Sequence, residues 1–172
     1  MSSQRGFSMI EVLVSLLLIC IGVLGMVALQ SKAIPYTQDS VQRSNAAMLA
    51  NDLLELIRSK PDEVGNYLKA KEAAFPSTPA SCVPLPGGAK ERLGCWAGRV
   101  RAILPGAAEL MASEFYICKT ISPRESGSCT VGSALEIQLA WKTPKGECLD
   151  AGKSEDENKD NTTCRYRLRT EL

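Results

Sequence analysis

The sequence predicts an α+β fold in which one long N-terminal helix, half apolar and half amphipathic, packs on a C-terminal antiparallel β-sheet stapled by disulfides. Three observations predict it. The stretch Phe7 to Leu29 is apolar and carries no charge from Val12 onward. A helical period follows over Asp39–Lys60, and beyond Gly94 the pattern shifts to period two. Six of the seven cysteines lie from Cys82 onward, clear of the apolar run.

The totals narrow the function classes. The 172 residues hold 20 Lys+Arg, 19 Asp+Glu and no histidine. A net charge of +1 gives no broad attraction to nucleic acid. Without histidine the chain lacks the usual general base, the usual partner of a Ser or Cys nucleophile and the commonest zinc ligand. A membrane-anchored extracytoplasmic enzyme is the remote alternative. It would need a Ser/Lys dyad such as Ser122 with Lys119 or Ser133 with Lys142, and neither pair sits in a catalytic motif.

The first element is the apolar helix, taken as residues 7–34. About 20 apolar residues at 1.5 Å each cross a hydrocarbon core of roughly 30 Å, so the run is long enough to span a membrane. Its N-terminal flank, MSSQRG, carries Arg5 alone, which predicts a cytoplasmic N-terminus and an exported remainder. A secretory signal peptide would have a shorter apolar region and a small-x-small cleavage site after it. Glu11 is the exception within the run, because a carboxylate facing lipid at mid-helix costs on the order of 2.5 to 3.5 kcal/mol. It needs a cationic partner or a place near the interface. Gly22 and Gly25 weaken the helix and read either as points of flexibility or as close-packing positions.

Gly6-Phe7-Ser8-Met9-Ile10-Glu11 followed by this run resembles the class III signal of type IV pilins and type II secretion pseudopilins. Chain length and the Cys-rich C-terminal half are similar to minor pilins of the PilV type, relatives of the I-type pseudopilin. The resemblance implies that residues 1–6 are a prepilin leader. A prepilin peptidase would cut between Gly6 and Phe7 and N-methylate Phe7. It implies that Glu11 pairs with the Phe7 amine of a neighbouring subunit and sets assembly register. It also implies a type IV pilin fold, a subunit held in the inner membrane with a periplasmic head, and later incorporation into the pilus. The implied partners are the prepilin peptidase/N-methyltransferase, other minor pilins, the major pilin, the inner-membrane assembly platform and, at the tip, an adhesin. No cofactor is implied, and nucleic acid is not an expected partner. The resemblance points to priming of pilus assembly within a minor-pilin tip complex, the alternative being an I-type pseudopilin of type II secretion.

Pro35 predicts a kink or short break, since it lacks an N–H and disfavours helix at Ile34. The amphipathic half, residues 35–60, shows Val41, Met48, Leu49, Leu53, Leu56 and Ile57 at helical steps and stops before Pro61. Residues 61–94, rich in Pro and holding Gly87-Gly88, read as an irregular αβ-loop with at most a short helix after Pro61.

Residues 95–172 read as the sheet. Period-two runs cover Cys95–Leu104, Glu114–Ile121, Leu135–Lys142 and Cys164–Thr170. In the last of these, Arg165, Arg167 and Arg169 share one face, read as solvated or salt-bridged. Trp96, Trp141, Phe115 and Tyr116 read as packing residues, too few for a base-stacking platform.

Cys20, within the apolar run, reads as a small apolar residue. The other six cysteines fall in an exported region, where disulfides persist. They allow 15 pairings, and the sequence alone does not choose. The preferred set is Cys82–Cys95, Cys118–Cys129 and Cys148–Cys164, each closing a Pro-, Gly- or charge-rich loop. No metal site is expected, because there is no C-x-x-C pair and no histidine. The acidic stretch around Asp150 and Ser154–Asn161 lacks EF-hand spacing and reads as a solvated loop. Asn161-Thr162-Thr163 matches a glycosylation sequon by coincidence.

Overall fold

The structure, a computed structural model, describes residues 8–121, 132–145, 147–148 and 162–171. The order of elements is helix α1 (Met9–Arg58), a 3₁₀ turn (Pro61–Tyr67), helix α2 (Ala89–Ile103), short helix α3 (Ala107–Leu110) and strands β1 (Tyr116–Thr120), β2 (Ala134–Lys142) and β3 (Thr163–Glu171). Two compact units divide the chain, one ending at Gln38 and one beginning at Asp39.

In the first unit the apolar side chains of α1 from Met9 to Leu29 are exposed and buried by none of the described residues. Of the expected kink or short break at Pro35, the break does not occur: helix α1 continues through the proline. One proline removes a single N–H from a long run of good helix formers. Thr37 adds a local bond, its hydroxyl donating to the Ala33 carbonyl at 3.0 Å.

In the second unit, the buried stripe of α1 is Ala46, Leu49, Ala50, Leu53, Leu54 and Ile57. Val41 and Met48, expected on this stripe, face outward at 51% and 48% exposure. The small Ala46 and Ala50 take the inward positions, which lets α2 approach closely. Trp96 Nε1 on α2 donates to the Leu49 carbonyl at 2.8 Å inside this packing.

The segment Cys95–Leu104, expected as a strand at the head of the sheet, is helical. Leu93, Trp96, Ala97, Val100 and Leu104 are buried, and their spacing is that of one helix face. The period-two reading starts at Cys95 and so begins mid-helix. Helix α2 starts at Ala89, inside the stretch expected to be loop, so the 61–94/95–172 boundary falls within it. The turn Pro61–Tyr67 is held to its N-terminus, where Glu63 accepts from the Ala89 N–H at 3.4 Å and from Lys60 Nζ at 2.8 Å.

The sheet has three strands, not four, in the antiparallel order β1-β2-β3. Register places Ile117, Leu135, Ile137, Leu139, Trp141, Cys164 and Leu168 on the face that meets α1. The opposite face carries Tyr116, Cys118, Glu136, Gln138 and the three arginines. An isolated bridge between Lys69 and Ile117 ties the residues after the 3₁₀ turn to the outer edge of β1.

Candidate functional site

The chemistry expected of this chain belongs to its N-terminal helix. Glu11 stands exposed in the first turn of α1, where the unpaired N–H groups and helix dipole favour a carboxylate. Ser15 Oγ donates to the Glu11 carbonyl at 2.7 Å, a local bond that leaves the carboxylate outward. Gly6 and Phe7 lie outside the described residues. Gly22 and Gly25 lie within uninterrupted helix, and a Cβ at either would meet nothing within 4 Å. Cys20 is a free, exposed cysteine. By length and composition α1 is able to cross a membrane.

In the head, Cys82 bonds to Cys95 and Cys148 to Cys164, with Cα–Cα distances of 5.8 and 5.5 Å. Cys118 is also a disulfide cysteine, while Cys129 falls outside the described residues. The first bond fastens the chain before α2 to that helix, and the second fastens the segment after β2 to the start of β3.

The arginine face of the sheet is paired. Arg165 forks onto the Glu114 carboxylate at 2.8 and 3.1 Å, Arg167 Nε donates to Gln138 Oε1, and Arg169 Nη2 donates to the Ile121 carbonyl at 3.1 Å. Tyr116 donates its hydroxyl to Glu136 at 2.5 Å on the same face. These bonds commit the arginines to structure on a part-buried face, with Arg169 Nη1 left buried without a hydrogen-bond partner among the described residues. Trp96, Trp141, Phe115 and Tyr116 are all buried.

Of the two candidate dyads, Ser122 lies outside the described residues. Ser133 and Lys142 sit at opposite ends of β2, about 30 Å apart at strand rise, and Lys142 pairs with Glu109. Asp39, Cys148 and Cys164 bring a carboxylate oxygen and two sulfurs together, but both sulfurs are consumed in a disulfide and offer no thiolate to a metal. The acidic stretch 154–161, with Asp150 and the sequon residue Asn161, lies outside the described residues. Sequence reasoning missed Asp39, Lys69 and Glu136, all three buried charged residues. Lys69 and Glu136 meet partners from distant segments, which no local pattern marks, whereas the Asp39–Arg43 pair at i,i+4 is a local signal that could have found Asp39.

Two family models match the chain. Residues 1–27 match the prokaryotic N-terminal methylation motif, and residues 28–95 match the Type IV pilin Tt1218 family. No curated protein and no solved structure matches it. The methylation motif implies a prepilin peptidase and the pilus assembly machinery. A leader and exposed apolar helix, an amphipathic continuation and a disulfide-bonded antiparallel head occur here in one chain, and the adjoining matches cover residues 1–95. These findings support a type IV pilin, a family that is structural and not enzymatic.

Proposed function

We propose that the chain is a minor type IV pilin of the PilV type that primes pilus assembly as part of a tip complex. The observation that carries this reading is the helix Met9–Leu29. It is exposed and apolar along its length, and none of the described residues covers it. Before assembly, lipid satisfies that surface. After cleavage between Gly6 and Phe7 and methylation of Phe7, neighbouring pilin helices replace the lipid. Glu11 is then the one charge left among apolar helices, and the Phe7 amine of a neighbour is its partner. This is a use of a buried ion pair as a register device. Gly22, Gly25 and Pro35 give the helix places to adjust during that transfer.

In this reading the N-terminus is cytoplasmic and the head periplasmic until the subunit enters the pilus. Its neighbours are other minor pilins, the major pilin, the assembly platform and an adhesin at the tip. The Cys-rich head supports a minor over a major subunit, and an I-type pseudopilin of type II secretion is the alternative reading.

The test is Glu11→Ala in cells that lack the wild-type copy. The variant is expected to be cleaved and methylated normally, to remain in the membrane and to restore few surface pili and little twitching motility. Normal piliation by Glu11→Ala contradicts the register role. Full piliation of cells without the chain, or its crosslinking only to secretion pseudopilins, contradicts the priming role.

A further inference from the structure

The chain places a buried carboxylate against one sulfur of its C-terminal disulfide. Asp39, on α1, is 1% exposed, and its Oδ1 lies 3.3 Å from Cys164 Sγ across a sequence separation of 125 residues. Both cysteines are buried, Cys164 at 0% exposure on β3 beside Trp141 and Cys148 at 5% in the segment after β2. Of the two, Cys148 alone keeps some exposure and is the sulfur a reductant reaches once the head opens locally. The groups around the pair are Arg43, whose Nε donates to Asp39 Oδ2 at 2.8 Å and whose guanidinium lies over the Trp141 ring, Thr143 Oγ1 at 3.8 Å from Cys164 Sγ, and the Thr163 carbonyl at 3.8 Å from Cys148 Sγ.

We propose that Asp39 guards the Cys148–Cys164 disulfide against thiol reductants by fixing a negative charge beside the sulfur that must leave. In reduction a small thiolate attacks Cys148 Sγ. A new S–S bond forms to the reductant, the Cys148–Cys164 bond breaks, and its electron pair goes to Cys164 Sγ as a thiolate, which later takes a proton from water. A second thiol of the reductant then displaces Cys148 and leaves oxidised reductant and two protein thiols. The charge on Cys164 thus develops 3.3 Å from a carboxylate in a site shielded from solvent, where like charges repel more strongly than in water. The barrier rises for opening this bond and not for others. Among the described residues no comparable carboxylate contact is present at Cys82–Cys95, so that bond serves as the internal control.

The test is timed reduction of the full chain in detergent micelles by excess dithiothreitol at about pH 8.5, where the reductant supplies its thiolate. Each bond is followed by alkylation and peptide mass mapping. Asp39→Asn keeps the size and an acceptor oxygen and removes the charge. It is expected to speed reduction of Cys148–Cys164 about tenfold or more and to leave Cys82–Cys95 at its parent rate. A Cys148–Cys164 rate in Asp39→Asn within about twofold of the parent overturns the proposal. So does equal acceleration of both bonds by Asp39→Asn, since loosening of the head would then account for the effect.

Discussion

Lys69 is 4% exposed, and its ammonium donates to three carbonyls, those of Phe115 at 2.7 Å, Ala70 at 3.1 Å and Ala112 at 3.4 Å. It also lies 5.0 Å from the centre of the Phe75 ring. One side chain thereby stitches the segment after the 3₁₀ turn, the end of α3 and the start of β1. Lys69→Met is expected to take the ammonium donor from the Phe115 carbonyl, while the Ala112 and Ala70 carbonyls keep the Glu72 and Ala73 N–H groups, and to lower stability by about 1 to 3 kcal/mol, checked by urea unfolding in micelles. Burial pushes the lysine down to about 8, with Glu72 opposing. Its folded pKa then lies below that of an unfolded lysine, so the unfolded chain holds the extra proton between about 8 and 10.5. Stability is expected to rise with pH across that window, and a urea midpoint that falls from pH 8 to pH 9.5 contradicts the assignment. Glu63 works in the opposite range. The Lys60 hydrogen bond holds its carboxyl below the usual range, so its contribution is present above the unfolded pKa and is lost as pH falls through the folded one. Glu63→Gln is expected to flatten the acid limb of the stability profile. None of these roles is legible from the sequence, because Lys69 meets Ala112 and Phe115 only through tertiary folding.

At the scale of elements, the apolar helix and three strands could be read from the chain because each carries its own period. The strand ranges Glu114–Ile121, Leu135–Lys142 and Cys164–Thr170 overlap β1, β2 and β3 closely. Helix α2 was obscured because its apolar positions interleave with Arg99 and Arg101, and from Cys95 onward those alternate as in a strand. Extending the window back to Leu93 restores the helical spacing. Its packing is tight at Gly94, where a Cβ would come within 2.4 Å of the Ser77 carbonyl oxygen. Gly94→Ala is expected to cost about 1 to 3 kcal/mol by forcing α2 off the segment before Cys82, measured as a lower thermal midpoint. Gly22→Ala is expected to leave the head's unfolding unchanged, since that position meets nothing among the described residues. An effect of Gly22→Ala on piliation alone would place its role in assembly. At Pro35 the helix persists because one missing hydrogen bond does not outweigh the helical preference on both sides.

At the scale of the whole molecule, an apolar helix that none of the described residues covers is joined to a head that closes its own core. The leader and helix were legible because their motif is local and dense. The buried polar groups Tyr116, Glu136 and Gln138, with Arg167 bonded at their exposed edge, and the Asp39–Cys164 contact were not, since strand pairing and helix docking create them. The central claim is that the helix is processed and then covered by other pilins. Mass spectrometry of the N-terminal peptide of this chain, recovered from sheared surface filaments, tests it most directly. The account predicts a chain that begins at N-methylated Phe7 and is present in the filaments at far lower abundance than the major pilin. A chain that retains Met1 to Gly6, or that never leaves the membrane fraction of piliated cells, would contradict it.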